Sequence, residues 1–134
     1  MAVPTLLGLA LATAPLAQAL NASILPLLDA RRMEVYAAAY APDLTPLLDV
    51  HNRVLEGETD FGLRGPVLVV GDGAAKARAL LPPDFIILTD AQATARGFGP
   101  ELMRLWAAER FEDLATFEPF YLKPVRLTGP NAGQ

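Results

Sequence analysis

No charged side chain occurs before Asp29, so the first 28 residues carry neither Lys, Arg, Asp nor Glu. A charge-free stretch of that length belongs in a core, in a bilayer or in a cleaved leader. A membrane span needs about 20 consecutive apolar residues. Here Pro4, Pro15 and Pro26, with Gln18, Asn21 and Ser23, interrupt the run, and alanine supplies much of its apolar content. A secretory leader would use the Ala17-Gln18-Ala19 triplet for cleavage, but the basic segment that opens such leaders is missing. The third reading is a buried helix followed by a buried strand. Leu6, Leu9, Ala10 and Thr13 share one helical face, and Thr5, after Pro4, is placed to act as N-cap. The core helix is the strongest of the three.

Composition narrows the function classes. At 52% apolar and 19% charged over 134 residues, the chain has the surface to bury one core, and it reads as a single domain over 1–134. Eleven Lys and Arg against fifteen Asp and Glu give a net charge of −4, which weighs against gripping nucleic acid by broad electrostatics. The absence of cysteine excludes disulfides, thiolate catalysis and Cys-ligated zinc. The lone histidine, His51, excludes any site needing two imidazoles.

The pattern along the chain is mixed α/β. Residues 24–29 form a short Ile/Leu-rich run that reads as a strand. Residues 34–40 alternate Val35, Ala37 and Ala39 with Glu34, Tyr36 and Ala38, a half-buried strand four residues further on. A third strand is expected over 44–50, after a turn at Ala41-Pro42-Asp43, completing an antiparallel meander. His51 would follow it. Residues 56–65 read as a loop with one helical turn. The fully apolar run Pro66-Val67-Leu68-Val69-Val70 suits a strand buried on both faces. Gly71-Asp72-Gly73 ends it, a helix is expected over 74–81 up to Pro82-Pro83, and a second buried strand over 85–88. Strand, helix and strand at this spacing make a parallel pair with a right-handed crossover.

Residues 91–113 are helical in composition with a break at Gly97-Phe98-Gly99-Pro100. Leu102, Leu105, Trp106 and Glu109 fall on one side, with Trp106 as the expected anchor. An extended tail at 119–122 precedes a polar end. The order, βββ, a short αβαβ unit and a closing helix, is the layout of one ribonuclease-H-like lobe, the building block of actin-like ATPase folds.

Two polar clusters could carry chemistry. Asp29-Ala30-Arg31-Arg32-Met33-Glu34-Val35-Tyr36 spans the first hairpin, where two guanidiniums beside a carboxylate could hold phosphate or a partner's acidic group. A plain hairpin, with Asp29 bonding turn amides and solvated arginines, explains the same residues. Val70-Gly71-Asp72-Gly73-Ala74-Ala75-Lys76 places glycines between a strand and a helix, where backbone amides can meet an anion, with Lys76 adding charge. It lacks the spacing and ending of a P-loop, and such glycine turns often serve only to reverse the chain. The carboxylates are scattered, and no catalytic constellation emerges.

These residues resemble the TsaB (YeaZ) family. Leu25-Pro26-Leu27-Leu28-Asp29-Ala30-Arg31-Arg32-Met33-Glu34-Val35-Tyr36 is similar to its signature, as are Gly71-Asp72-Gly73-Ala74-Ala75-Lys76 and Phe111-Glu112-Asp113 with Phe117-Glu118-Pro119-Phe120-Tyr121-Leu122-Lys123. The wording resembles the branch found in Bacteroidetes-type bacteria, and Pro4-Thr5-Leu6 resembles the start of the helix that precedes the second lobe. The resemblance implies the second lobe only, without the first lobe that carries the family's phosphate motif and pairing helices. It implies a cytoplasmic, non-catalytic scaffold that needs no cofactor. Such a scaffold partners the catalytic paralogue TsaD and the ATPase TsaE in making threonylcarbamoyladenosine beside the tRNA anticodon. It meets tRNA only indirectly and has no membrane partner.

Proteins of this kind are also labelled glycoprotease-like peptidases, so a peptidase or an ATP-binding enzyme is the alternative. Catalytic actin-like proteins put glycine after the hairpin aspartate, whereas Asp29 is followed by Ala30, Arg31 and Arg32, which crowd a phosphate cradle and suit an acidic surface. The sites expected to make contacts are therefore Asp29, Arg31, Arg32, Glu34, Tyr36, Gly71, Asp72, Gly73 and Lys76. A lone second lobe is also expected to expose apolar surface along its first helix and to self-associate.

Overall fold

A computed structural model describes residues 4–92, 94 and 96–118. Its frame is one five-stranded sheet in the order β3-β2-β1-β4-β5. β1 (Ser23–Asp29), β2 (Glu34–Tyr40) and β3 (Pro46–Val54) form the expected antiparallel meander, while β4 (Val67–Val70) runs parallel to β1 and β5 (Ile86–Leu88) parallel to β4. Side chains alternate along strands, so the three inner strands supply two separate cores. Leu25, Leu27, Val35, Ala37, Val67 and Val69 face one side, where Leu55, Phe61 and Leu63 from the β3–β4 connection cover them together with α2 (Ala74–Ala77). Ile24, Ala38, Tyr40, Leu68 and Val70 face the other, under α1 (Thr5–Leu20). β2 is accordingly covered on both faces, and the half-exposed alternation expected of it holds only at Glu34 and Tyr36. β4 is buried along its whole length, as its β-branched run requires.

The charge-free start is a core helix. Leu6, Leu9, Ala10 and Thr13 are all buried against the sheet. Thr5 does not cap it. Pro4 holds the N-cap position with no side-chain hydrogen bond, and Thr5 is the first helical residue. The other end is closed by Asn21 in a left-handed conformation (φ 49°), with the Ala22 amide donating to Ala17 O at 2.8 Å. Gly8, which costs a helix interior about 0.5–1 kcal/mol relative to alanine, makes room for a neighbour, because a Cβ there would overlap the Phe98 ring. No helix among the described residues is long and apolar enough to cross a membrane.

Further expectations need correcting. β3 starts and ends later than expected, because the turn consumes two more residues. Leu44 adopts φ 70° and donates to Ala41 O, and Asp43 Oδ1 accepts the Thr45 amide. Bulges opposite Ala37–Tyr40 then carry the strand to Val54, so His51 lies inside β3, opposite Ala37, rather than after it. Residues 56–65 form turns without the helical turn, and the expected 74–81 helix is α2 followed by a 3-10 turn, Arg78–Leu80. β5 is a half-exposed edge, not a buried strand, since Ile86 is 39% exposed. The closing helix, α3 (Gly99–Ala107), buries Leu105, while Trp106 is 61% exposed and packs edge-to-face with Phe111, with ring centroids 5.4 Å apart. In so short a helix one position fits the centre of the inward stripe, and Trp106 lies on its flank. The extended tail expected at 119–122 lies outside the described residues.

Candidate functional site

β1 and β4 are parallel and in register from Ser23↔Val67 to Pro26↔Val70, so both chains leave the sheet at the same end. That topology joins the two polar clusters, which lie about forty residues apart in sequence. Asp29, at the end of β1, sits on the face covered by α2, and Lys76 of α2 reaches it with Nζ 2.5 Å from Oδ1. Lys76 Nζ also donates to Glu34 O at 3.0 Å. In return Asp72 Oδ1 accepts the Asp29 amide at 2.8 Å. The Asp29 carboxylate further accepts the Arg31 amide at 2.7 Å, an Asx turn that starts the hairpin. The Lys76 ammonium, then the Arg31 amide, hold the Asp29 carboxyl below the ordinary carboxylate range.

The hairpin tip is strained. Arg31 (φ 68°) and Arg32 (φ 51°) both take positive φ, a conformation that costs a side-chain-bearing residue about 1–2 kcal/mol. The surrounding bonds hold it there. Glu34 N donates to Arg31 O, Ala30 N to Glu34 O, and Leu55 N to Met33 O at 2.7 Å. Both arginine side chains point to solvent.

The glycine turn is closed rather than open. Gly71 has φ 106°, and a Cβ there would overlap the Leu27 carbonyl oxygen and sit 3.0 Å from Leu9 Cδ1. A Cβ on Gly73 would come within 3.0 Å of the Leu27 and Leu28 carbonyl carbons. The glycines therefore let the turn lie flat on the backbone of β1. The amides that would greet an anion are engaged: Gly73 N donates to Leu27 O at 3.0 Å and Ala74 N to Gly71 O at 3.1 Å. Lys76 is likewise committed to Asp29, so these two amides and the lysine are bonded within the protein.

Asp29, Glu34, Asp72, Lys76 and the two glycines are thus brought together, with Arg31 and Arg32 displayed at the margin. Tyr36 is not among them. It pairs with Leu28 and Asn52 and packs on the α1 side of the sheet. Sequence reasoning missed a cleft of about 600 Å³ between the β3–β4 connection and Pro82-Pro83, lined by Arg53, Glu58, Thr59, Asp60 and Leu80. Its Arg53 donates to Thr59 Oγ1 at 3.0 Å and lies 5.3 Å over the Phe61 ring. No local motif announces this grouping, because Leu80 and the residues after it are brought to the connection by a long-range bond, the Thr59 amide donating to Leu80 O at 2.8 Å. Among the described residues no three His, Asp or Glu side chains are grouped to hold a metal ion.

No family model and no curated protein matches the sequence. Solved structures do. YeaZ from Pseudomonas aeruginosa superposes with a TM-score of 0.74 at 18% identity, over 91% of this chain and 58% of its own. The chain has the YeaZ fold. A second structure, an uncharacterized protein with similarity to peptidase YeaZ from Pseudomonas aeruginosa, gives a TM-score of 0.64 at 17% identity, over 86% of this chain and 56% of the other. This chain therefore spans under three-fifths of the length of either YeaZ-fold protein.

Two outcomes test the site. Gly71→Ala should destabilise the protein by roughly 2–5 kcal/mol in urea unfolding, from unfavourable φ and overpacking against Leu27. The pairing of Asp29 contributes stability above the ordinary carboxylate pKa and loses it as pH falls through the depressed folded value. Asp29→Asn should therefore lower the melting temperature at neutral pH and flatten its fall below pH ~4, as followed by circular dichroism.

Proposed function

We propose that this chain is a TsaB-type, ribonuclease-H-like lobe of the actin-like class. Its work is to hold a TsaD-type catalytic paralogue, with a TsaE-type ATPase, in the cytoplasmic complex that makes threonylcarbamoyladenosine on tRNA. One observation carries this reading. In a chain with the YeaZ fold, the amides and lysine at the carboxyl ends of the parallel strands are bonded to the protein itself. This is where open α/β sheets ordinarily take ligands.

The sequence motifs at 25–36 and 71–76 support the same reading, since they are the residues that build the closed corner. The enzyme alternative, a peptidase or ATP-binding protein, would need donors that this corner has already used. The role left to the lobe is contact with proteins, and tRNA would meet it through the catalytic partner.

Depletion of the gene should remove threonylcarbamoyladenosine from tRNA digests measured by mass spectrometry, and tagged protein should co-purify with the TsaD-type paralogue of the same genome. Unchanged nucleoside levels in a clean deletion would overturn the proposal.

A further inference from the structure

The cleft between the β3–β4 connection and Pro82-Pro83 offers a binding site that does not depend on the reading above. None of its lining residues belongs to the Asp29–Lys76 corner. Its two walls are tied through the backbone, the Thr59 amide donating to Leu80 O at 2.8 Å. Thr59 also organises its own wall. Its Oγ1 accepts the Phe61 amide at 3.2 Å and Arg53 Nη2 at 3.0 Å. Arg53 pairs with Val35 across the sheet, which puts it on the α2 side, and its guanidinium lies 5.3 Å over the Phe61 ring. The arginine is thus held at two points before any ligand arrives. A cleft of about 600 Å³ with walls fixed in this way is of the size that takes small molecules.

The charges select the ligand class. Arg53, Glu58 and Asp60 all line the cleft, yet no ion pair joins the arginine to either carboxylate among the described residues. A guanidinium has five N–H donors, and Arg53 spends one on Thr59, which leaves room for a carboxylate. Asp60 gives one oxygen to the Gly62 amide at 2.8 Å, and Glu58 makes no hydrogen bond or ion pair among the described residues. A lone anion in this cleft would meet two like charges, and a lone cation would meet the guanidinium. No third Asp, Glu or His joins Glu58 and Asp60 to hold a metal ion among the described residues. A molecule carrying both signs suits all three groups. The other wall, Leu80 to Pro83, offers only apolar side chains. We propose that the cleft binds a small zwitterion with an apolar side chain, of the free amino acid or dipeptide type. Its carboxylate would lie on Arg53, its ammonium between Glu58 and Asp60, and its side chain on Leu80 and Pro82.

The test is a nuclear magnetic resonance titration of the full chain with leucine and with the dipeptide Ala-Leu. N-acetyl-leucine, leucinamide, glycine and inorganic phosphate are run in parallel. Saturable shifts are expected at the Thr59 and Leu81 amides and the Arg53 Nε–H, and the tighter of the two zwitterions identifies the ligand type. The exposed Arg96 and Arg110 should stay in place. Arg53→Gln should weaken binding by about tenfold or more. Because Arg53 also supports Thr59, a second variant is needed. Glu58→Gln removes no bond within the protein, and it should weaken binding by about threefold or more with an unchanged melting temperature. The proposal fails if neither zwitterion saturates the shifts by about 10 mM, or if either variant binds as the parent does. It also fails if phosphate, N-acetyl-leucine or leucinamide binds as tightly as leucine, since one charge would then suffice. Glycine binding as tightly as leucine would overturn it too, because the apolar wall would be idle.

Discussion

The carbonyl group of Leu27 is the contact around which this protein is organised. It accepts the Gly73 amide, and its oxygen occupies the space that any side chain at residue 71 would need. That close approach draws the β4–α2 turn onto β1, lays α2 over Leu27 and Val35, and brings Lys76 to Asp29. Moving the turn outward by the width of a methyl group would open the core on the α2 side and free the hairpin at once. On the opposite face the uncharged α1 buries one side against the sheet, and the polar side chain it brings inside, Thr13, donates to Leu9 O at 2.9 Å.

The same contact decides what the corner can do. Parallel strands ending side by side, followed by glycine and a helix, form an arrangement that in many proteins receives phosphate. Here that arrangement is present, and the Gly73 and Ala74 amides and the Lys76 ammonium are bonded to the protein's own oxygens. The result is a rigid corner with a displayed edge, where the strain of two arginines in left-handed conformations is held by an ion pair and an Asx turn.

Much of this was legible in the chain itself. The ends of β2 and the two-sided burial of β4 follow from local pattern, because alternation and β-branched runs report directly on sheet faces. The helix at 5–20 was legible from its spacing, but its cap was not. Capping chemistry favours Thr5, but the helix starts one residue earlier than that cap requires, with Pro4 at the N-cap position. The bounds of β3 are not legible, because the Asp43–Thr45 turn is set by a side-chain hydrogen bond and the bulges shift the register, neither of which periodicity encodes. Trp106 was misjudged by equating size with burial, whereas helix length and direction put Leu105 inward. The two site motifs stood out as separate patches, and their meeting depends on β1 and β4 being neighbours, a long-range pairing. Tyr36 was drawn into the site by sequence adjacency, yet strand alternation sends it to the other face.

The amide of Gly73 tests the central claim, that the corner is sealed on β1, most directly. Hydrogen exchange of this amide, followed with and without magnesium ATP, should be as slow as that of Val69 in β4, and its resonance should stay in place when nucleotide is added. Rapid exchange, comparable to the exposed loop at Gly57, or a saturable shift on adding nucleotide, would contradict the account.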